Sequence, residues 1–376
     1  MDVAAIAQRF PLVTRPRPTC PSLAERVGQL REMARTAHAD GDQASAAAVQ
    51  NMAALIASDC GLHDLARTLC WQHFDTYLSR WPLDAATARH ALEPLVNIAR
   101  LRIRTRDANR AHQLLNALFH AVSAHGDTVI DGRSLSFRHL TNTKEDHRTL
   151  CQWLWTVLLA DGTRALTSAG RWQEALAHVQ QHKGIGRRLL DGRQVAILAQ
   201  LHTGNPITAL KTISQSDTTE PWERAVAACL TALCTTRTDQ PANAAVTTMI
   251  DHYLNLPPSP ELVLFQVRLG LTVTDIAGIT GQHHEGEQAT ARLIEQALTS
   301  EDGYTAHEVV NNPSSRTHLT LGHERALSAV VRSAGLHRNA IPQHLITDLL
   351  NAAKAAQKIT TRQQNAPNLA MHRTEP

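Results

Sequence analysis

The side chains of this chain that could do chemistry are clustered arginines and histidines. "ARLRIRTRDANR" carries Arg100, Arg102, Arg104, Arg106 and Arg110. On an unbroken helix Arg102, Arg106 and Arg110 share one face and Arg100 and Arg104 a neighbouring one, a basic stripe able to meet an acidic peptide or phosphate groups. A solvated face paired with Asp107 has the same spacing. A second cluster, "HKGIGRRLLDGRQ", sets two glycines before Arg187, Arg188 and Arg193. A helix beginning near Gly186 would offer free backbone amides to an anion, although the Walker lysine and Ser/Thr are missing and a turn between helices fits equally. Arg164 stands apart, because it follows the apolar run with Trp153 and Trp155 and is expected to be partly buried against an acid such as Asp161. The partner-binding candidates are therefore Arg102, Arg106, Arg164, Arg187, Arg188 and Arg193, with Trp153 and Trp172 as packing or anchoring rings.

The 21 histidines raise the question of a metal. His178 and His182 are four apart, the spacing of a two-point ligand, but no HExxH occurs and no third ligand is identifiable. His283, His284 and Glu285 sit in a polar turn. Structural or surface roles are expected for both sets, and no metal or cofactor is assigned. The chain has no DDxxD, no G-x-S-x-G elbow and no Rossmann glycine set, so no catalytic residue is assigned either. Val273 to Ile294 has the Ala277/Gly281 spacing of a helix-turn-helix, but Gly286 and Glu287 fall where a recognition helix should be apolar.

These side chains need elements to hold them. The 376 residues suffice for a sizeable core, aromatic content is only 4%, and alanine, leucine and arginine favour helices. An excess of 37 basic over 34 acidic residues is too small to argue for a nucleic-acid partner. The bias to Ala, Arg, His and Thr over Lys, Ile and Asn suggests a GC-rich bacterial genome. Six cysteines without CxxC spacing suggest free thiols in the cytoplasm. The amino terminus lacks a basic n-region, and Pro11 interrupts its apolar run. "WLWTVLLA" is far short of the roughly 20 residues of a membrane span.

Residues 1–20 read as an irregular arm with three prolines. From 21 to 125, helices are expected over Ser22 to Gly41, Gln43 to Ser58, Leu62 to Leu78, Asp84 to Arg104 and Ala108 to Ala124. Residues 126–142 break the rhythm as a loop insert. Helices resume near Lys144 and occupy 143–255. After "NLPPSPE", where Ser259 is a candidate N-cap, further helix pairs fill 256–358, with a break at "EDGYTAHEVVNNPSSRTHLT". Residues 359–376 read as a disordered tail.

One spacing recurs. Gly41/Ala46, Gly61/Ala66, Gly170/Ala175, Gly204/Ala209, Gly286/Ala291 and Gly335/Ala340 all have G-x-x-x-x-A, six of the 18 glycines. The glycine would close one helix and the alanine would let the next cross a neighbour. Similar turns, "DGR" at 131, "DGTR" at 161 and "DGR" at 191, suggest the same repeat geometry. Gly170 to Gly204 is 34 residues, and "GRWQEAL" (170–176) and "GNPITAL" (204–210) resemble half of a tetratricopeptide repeat, a helix-turn-helix unit. Pro206 replaces the expected aromatic, and the Trp, Leu-Gly and Tyr set of the first helix is missing. The resemblance implies an all-α helix-pair solenoid, a tetratricopeptide-like superhelix with irregular inserts. It further implies a non-enzymatic regulator or adaptor that binds a protein or peptide, with an acidic partner favoured by the arginines. The alternative is an all-α small-molecule enzyme of an accessory or secondary-metabolite pathway, with an arginine-lined site for a small anionic ligand.

Overall fold

The computed structural model describes residues 9–281 and 283–362; for His283, His284, Glu285 and Arg362 only the backbone is described. The fold is mostly helical. In chain order the first helices are α1 (Leu23–Asp40), α2 (Gln43–Asp59), α3 (His63–Leu78), α4 (Ala85–Arg104) and α5 (Ala108–Ser123). A hairpin of β1 (Asp127–Ile130) and β2 (Arg133–Ser136) precedes α6 (Lys144–Val157), a π-turn at Leu158–Gly162 and α7 (Thr163–Ser168). Then come α8 (Trp172–Gln181), α9 (Asp191–His202), α10 (Pro206–Ser214), α11 (Pro221–Thr235) and α12 (Asn243–Leu254). After a 3-10 turn at Pro260–Leu262 follow α13 (Val263–Ile279), α14 (His283–Ser300), α15 (Gly303–Asn311), α16 (Pro313–Arg316), α17 (Leu321–Ser333) and α18 (Gln343–Arg362).

The G-x-x-x-x-A spacing has a structural cause at four of its six positions. Gly41, Gly61, Gly170 and Gly204 all adopt positive φ just past a helix end, a conformation that glycine takes without strain. The residue after each glycine donates its N–H back to the preceding helix: Asp42 to Ala37 O, Leu62 to Ala57 O, Arg171 to Leu166 O and Asn205 to Gln200 O, at 2.9–3.1 Å. The carbonyls of those same residues accept the N–H of Ala46, Ala66, Ala175 and Ala209. One residue therefore ends a helix and begins the next, and the alanine falls in the new first turn, where all four are fully buried. Gly286 lies inside α14 instead, and Ala291 and Ala340 are exposed. The three D-G turns do not share this geometry: they form a hairpin turn at 131, a π-turn at 161 and the start of α9 at 191.

Two compact units each draw on separated segments. One comprises Leu23–Leu101, His120–Trp153 and His337–Pro376. In it α1 packs on α2 and α2 on α3, and α18 returns to pack on all three. Arg26 of α1 and Asp59 at the end of α2 form a buried ion pair. Residues 126–142, expected to be a loop insert, contain the β-hairpin. Asp131 and Gly132 both take positive φ (57° and 83°), the two central positions of a type I′ turn. Leu135 is buried, and Arg133 reaches Asp75 at 2.6 Å while lying over the Trp71 ring. Ile359, placed in the tail on sequence grounds, belongs to α18; residues 363–376 lie outside the described residues.

The other unit comprises Met1–Ser22, Arg102–Phe119 and Leu154–Leu336. Each helix from α7 to α15 packs on the next, and α11 also meets α13, α12 meets α14 and α13 meets α15. The arm proves to be part of this core. Phe10 and Leu12 are buried among α8, α9 and α11 residues such as Trp172, Val195 and Val226. Burying two such side chains stabilises by about 1.5–3 kcal/mol each. Gln194, fully buried, stands in for a neighbouring strand: its Oε1 accepts the Leu12 N–H at 2.7 Å and its Nε2 donates to Leu12 O at 2.8 Å.

The stretch Pro260–Ile279, more apolar than "WLWTVLLA", has the length and hydropathy of a membrane span, but 67% of it is buried. It also carries Arg268 and Asp275 in ion pairs, the behaviour of a central core helix. Ser259 makes no side-chain cap ahead of it.

Candidate functional site

The chain leaves regular α-helix at Leu158–Gly162, where one extra residue per turn rotates everything that follows around the helix axis. Such π-turns persist where a side chain inserts against the backbone, and here that side chain is His178. Its Nε2 donates to Leu158 O at 3.1 Å. A carbonyl can only accept, so Nε2 carries the proton, and Nδ1 faces His112 Nε2 at 3.2 Å, which Asn116 Nδ2 also meets at 3.0 Å. Gly162 is required by this approach, since a Cβ there would meet His178 Nε2 at 2.8 Å. Burial holds His178 and His112 below the usual imidazole range, so both stay neutral. The His178–His182 pair predicted from spacing is thus real as a ring contact at 4.8 Å, but both His178 nitrogens are engaged within the protein. No metal-holding group of His, Cys, Asp and Glu occurs among the described residues, and the side chains of His283, His284 and Glu285 lie outside them.

The turn sets Asp161 and Thr163 inward and Arg164 outward. The Arg164 side chain forms no hydrogen bond or ion pair with any described residue, while its C=O accepts from Thr167 Oγ1 at 3.4 Å. Its side chain is exposed, although neighbouring protein crowds it. That burial, reinforced by the charges of Arg268, Arg17 and Arg104 and opposed by Asp161, lowers its pKa to about 10. It remains a cation at neutral pH.

The surrounding elements each contribute to this charge. From α13, Arg268 donates Nε and Nη2 to Glu308 of α15 at 2.8 and 2.6 Å. Burial would raise the Glu308 carboxyl, but Arg268, with smaller help from His307 and Arg9, holds it below the usual range. The arm crosses the same surface. Arg9 pairs with Asp275 of α13, Arg15 with Asp191 of α9 at 2.6 Å, and Cys20 N–H donates to Asp302 ahead of α15 at 2.6 Å. Between these fixed points the half-buried Arg17 lies 3.8 Å over the Tyr304 ring, with no ion pair to any described residue. Nothing in the sequence pattern marked Arg17 or Arg268, because their convergence depends on the arm's path and on helix order.

The other sequence candidates are placed differently. α4 ends at Arg104 and α5 begins at Ala108, with Arg106 at φ 61° between them, so Arg102, Arg106 and Arg110 do not share a helical face. Arg102 pairs with Asp107 at 3.0 Å, while Arg106 is exposed and unpaired among the described residues. No helix begins at Gly186; α9 starts five residues later. Arg187 pairs with Asp217 at 3.3 Å and Arg188 with the buried Glu223 at 2.9 Å. Arg193 bonds Ser216 Oγ and Thr212 O, both at 3.0 Å. Arg187 and Arg188 thus tie the segment before α9 to Asp217 and to α11, and Arg193 ties α9 to the end of α10 and Ser216. Of the two rings, Trp172 is core, and Trp153 stacks under Arg89.

Two open clefts complete the surface of this unit. One of about 500 Å³ lies along α11 and α12 between Arg224, Thr231, Thr248 and His252, and one of about 460 Å³ is lined by Glu287, Glu295, His318 and His323. Comparison of the chain with protein families, with curated proteins and with solved structures returns no match.

Proposed function

We propose that this chain is a non-enzymatic, tetratricopeptide-like helical-repeat protein of the bacterial cytoplasm that binds an acidic segment of a protein partner. The surface that recognises the partner is the one around Arg164, in place of the Arg102/Arg106 stripe. A single observation carries this: the Arg164 side chain is exposed and bonds no counter-ion among the described residues, and the charges of Arg268, Arg17 and Arg104 act on it against Asp161. A fold selected for stability alone has no use for such a group, whereas an acidic ligand supplies the missing charge. Sequential helix pairs joined by the Gly–Ala turns support the repeat assignment, since such pairs bury their apolar faces only by stacking. The clefts favour surface binding over enclosed catalysis, because both open to solvent.

Fluorescence anisotropy of a labelled hexaglutamate peptide tests this. Binding is expected to weaken as salt rises, to vanish in Arg164→Glu/Arg17→Glu, and to persist in Arg106→Glu. An absence of binding at low salt, or binding indifferent to the double substitution, would overturn the proposal.

A further inference from the structure

Five of the six cysteines are buried, and Cys151 on α6 is the exception. His147 stands four residues earlier on the same helix, a spacing that puts both side chains on one face. Cys151 Sγ lies 3.4 Å from His147 Nε2 and 3.9 Å from its Nδ1. Both residues are half-buried, so solvent reaches the pair. The contact lies within one compact unit, the one that contains His120–Trp153.

The surroundings orient both side chains. His125, exposed just past the end of α5, stacks on the His147 ring with centroids 3.9 Å apart and planes 23° from parallel, which fixes the plane of that ring. Ser123, the last residue of α5, meets both members of the pair: its carbonyl accepts from the His147 ring, and its side chain bonds Cys151. A ring nitrogen that donates to a carbonyl leaves the other nitrogen its lone pair, which is how histidine ligands of metals are held. Sulfur and nitrogen are also the right distance apart. Tetrahedral zinc, with Zn–S about 2.3 Å and Zn–N about 2.0–2.1 Å, holds such ligand atoms about 3.5 Å from each other. The observed 3.4 Å is that bite.

We infer that His147 and Cys151 form a two-point nitrogen–sulfur chelate for zinc(II). The Cys151 thiol gives its proton to solvent as the S–Zn bond forms, and His147 donates its lone pair without a proton change. The metal-holding groups absent among the described residues are those of three or more side chains, so the other two tetrahedral positions fall to water or to a donor from outside the chain. His125 and Ser123 are positioning residues. The site is independent of the acidic-partner proposal.

The test titrates the reduced full chain with cobalt(II), which reports a thiolate ligand by a sulfur-to-metal charge-transfer band that histidine-bound cobalt lacks. Wild type is expected to develop the band with a single equivalent, and zinc(II) to bleach it by displacing cobalt. Cys151→Ser should abolish the band. His147→Ala should weaken cobalt binding at least about tenfold, because even an outer-shell partner of a metal ligand is worth that much. Both variants are checked for native helicity by circular dichroism. On wild type itself, zinc(II) should protect Cys151 from alkylation by iodoacetamide, read by mass spectrometry, a result that stands whether or not a variant folds. No band and no protection in wild type, or a band that Cys151→Ser leaves unchanged, would overturn the site. A band lost in Cys151→Ser but formed at wild-type affinity in His147→Ala would show a lone thiol at work and overturn the chelate.

Discussion

Arg26 and Arg164 are both arginines set against protein, and they are treated in opposite ways. Arg26 meets Asp59 in a buried pair between α1 and α2, where cation and anion cancel. Arg164 meets other arginines and remains open to water. A buried charge is tolerated where its partner is built in, because the desolvation penalty is then offset by attraction. A charge without a bonded counter-ion is tolerated where solvent reaches it. The first arrangement serves the fold; the second is the kind expected to serve a ligand.

The largest effect should come from breaking the balanced region. Arg26→Ala removes the guanidinium that pairs with the buried Asp59 and is expected to lower stability by roughly 3 to 5 kcal/mol, read from urea unfolding. A loss within the error of an exposed substitution would show that the pair has little structural weight. Next comes the arm that positions Arg17. Gln194→Leu conserves bulk but strands the Leu12 N–H and C=O in the core, at a cost of roughly 1 to 3 kcal/mol, and should weaken acidic-peptide binding along with stability. Undiminished binding in a destabilised variant would separate the arm from the site.

A smaller, distributed effect should follow pH. Burial lowers His73 to about 3 and holds His112 and His178 below their usual range, so these rings stay neutral in the fold. The unfolded chain takes up their protons near pH 6.5, so it binds more protons than the fold at and below that pH. Stability is therefore present above about pH 6.5 and lost as pH falls through it. Urea midpoints that do not fall between about pH 7.5 and pH 5.5 would contradict this.

Much of the fold was legible because helix signals are local. The helices expected from Gln43, Ala108 and Lys144 begin at those residues, and the Gly–Ala spacing marked real helix junctions at 41, 61, 170 and 204. The hairpin was missed because two four-residue strands offer too little alternation, although the D-G at 131 is itself a hairpin turn signal. The basic stripe failed at one residue: Arg106 takes a left-handed conformation that an arginine spacing cannot foretell. Arg164 was singled out from its apolar context along with Asp161, whose charge does act on it, whereas the arginines that also act on it lie far along the chain at 17, 104 and 268. The arm's proline-rich sequence gave no hint that Phe10 and Leu12 would be core, since an irregular segment becomes buried only when side chains such as Gln194 satisfy its backbone.

The most direct measurement is the thermal unfolding of Arg164→Gln beside wild type at low ionic strength without ligand. A cation whose pKa is lowered by the fold destabilises that fold while it stays charged, so an unbalanced Arg164 predicts a higher melting temperature for the variant, with the gap closing as salt screens its neighbours. A lower melting temperature for Arg164→Gln would mean that the arginine is neutralised within the fold, and the site would lose its claim to an outside anion.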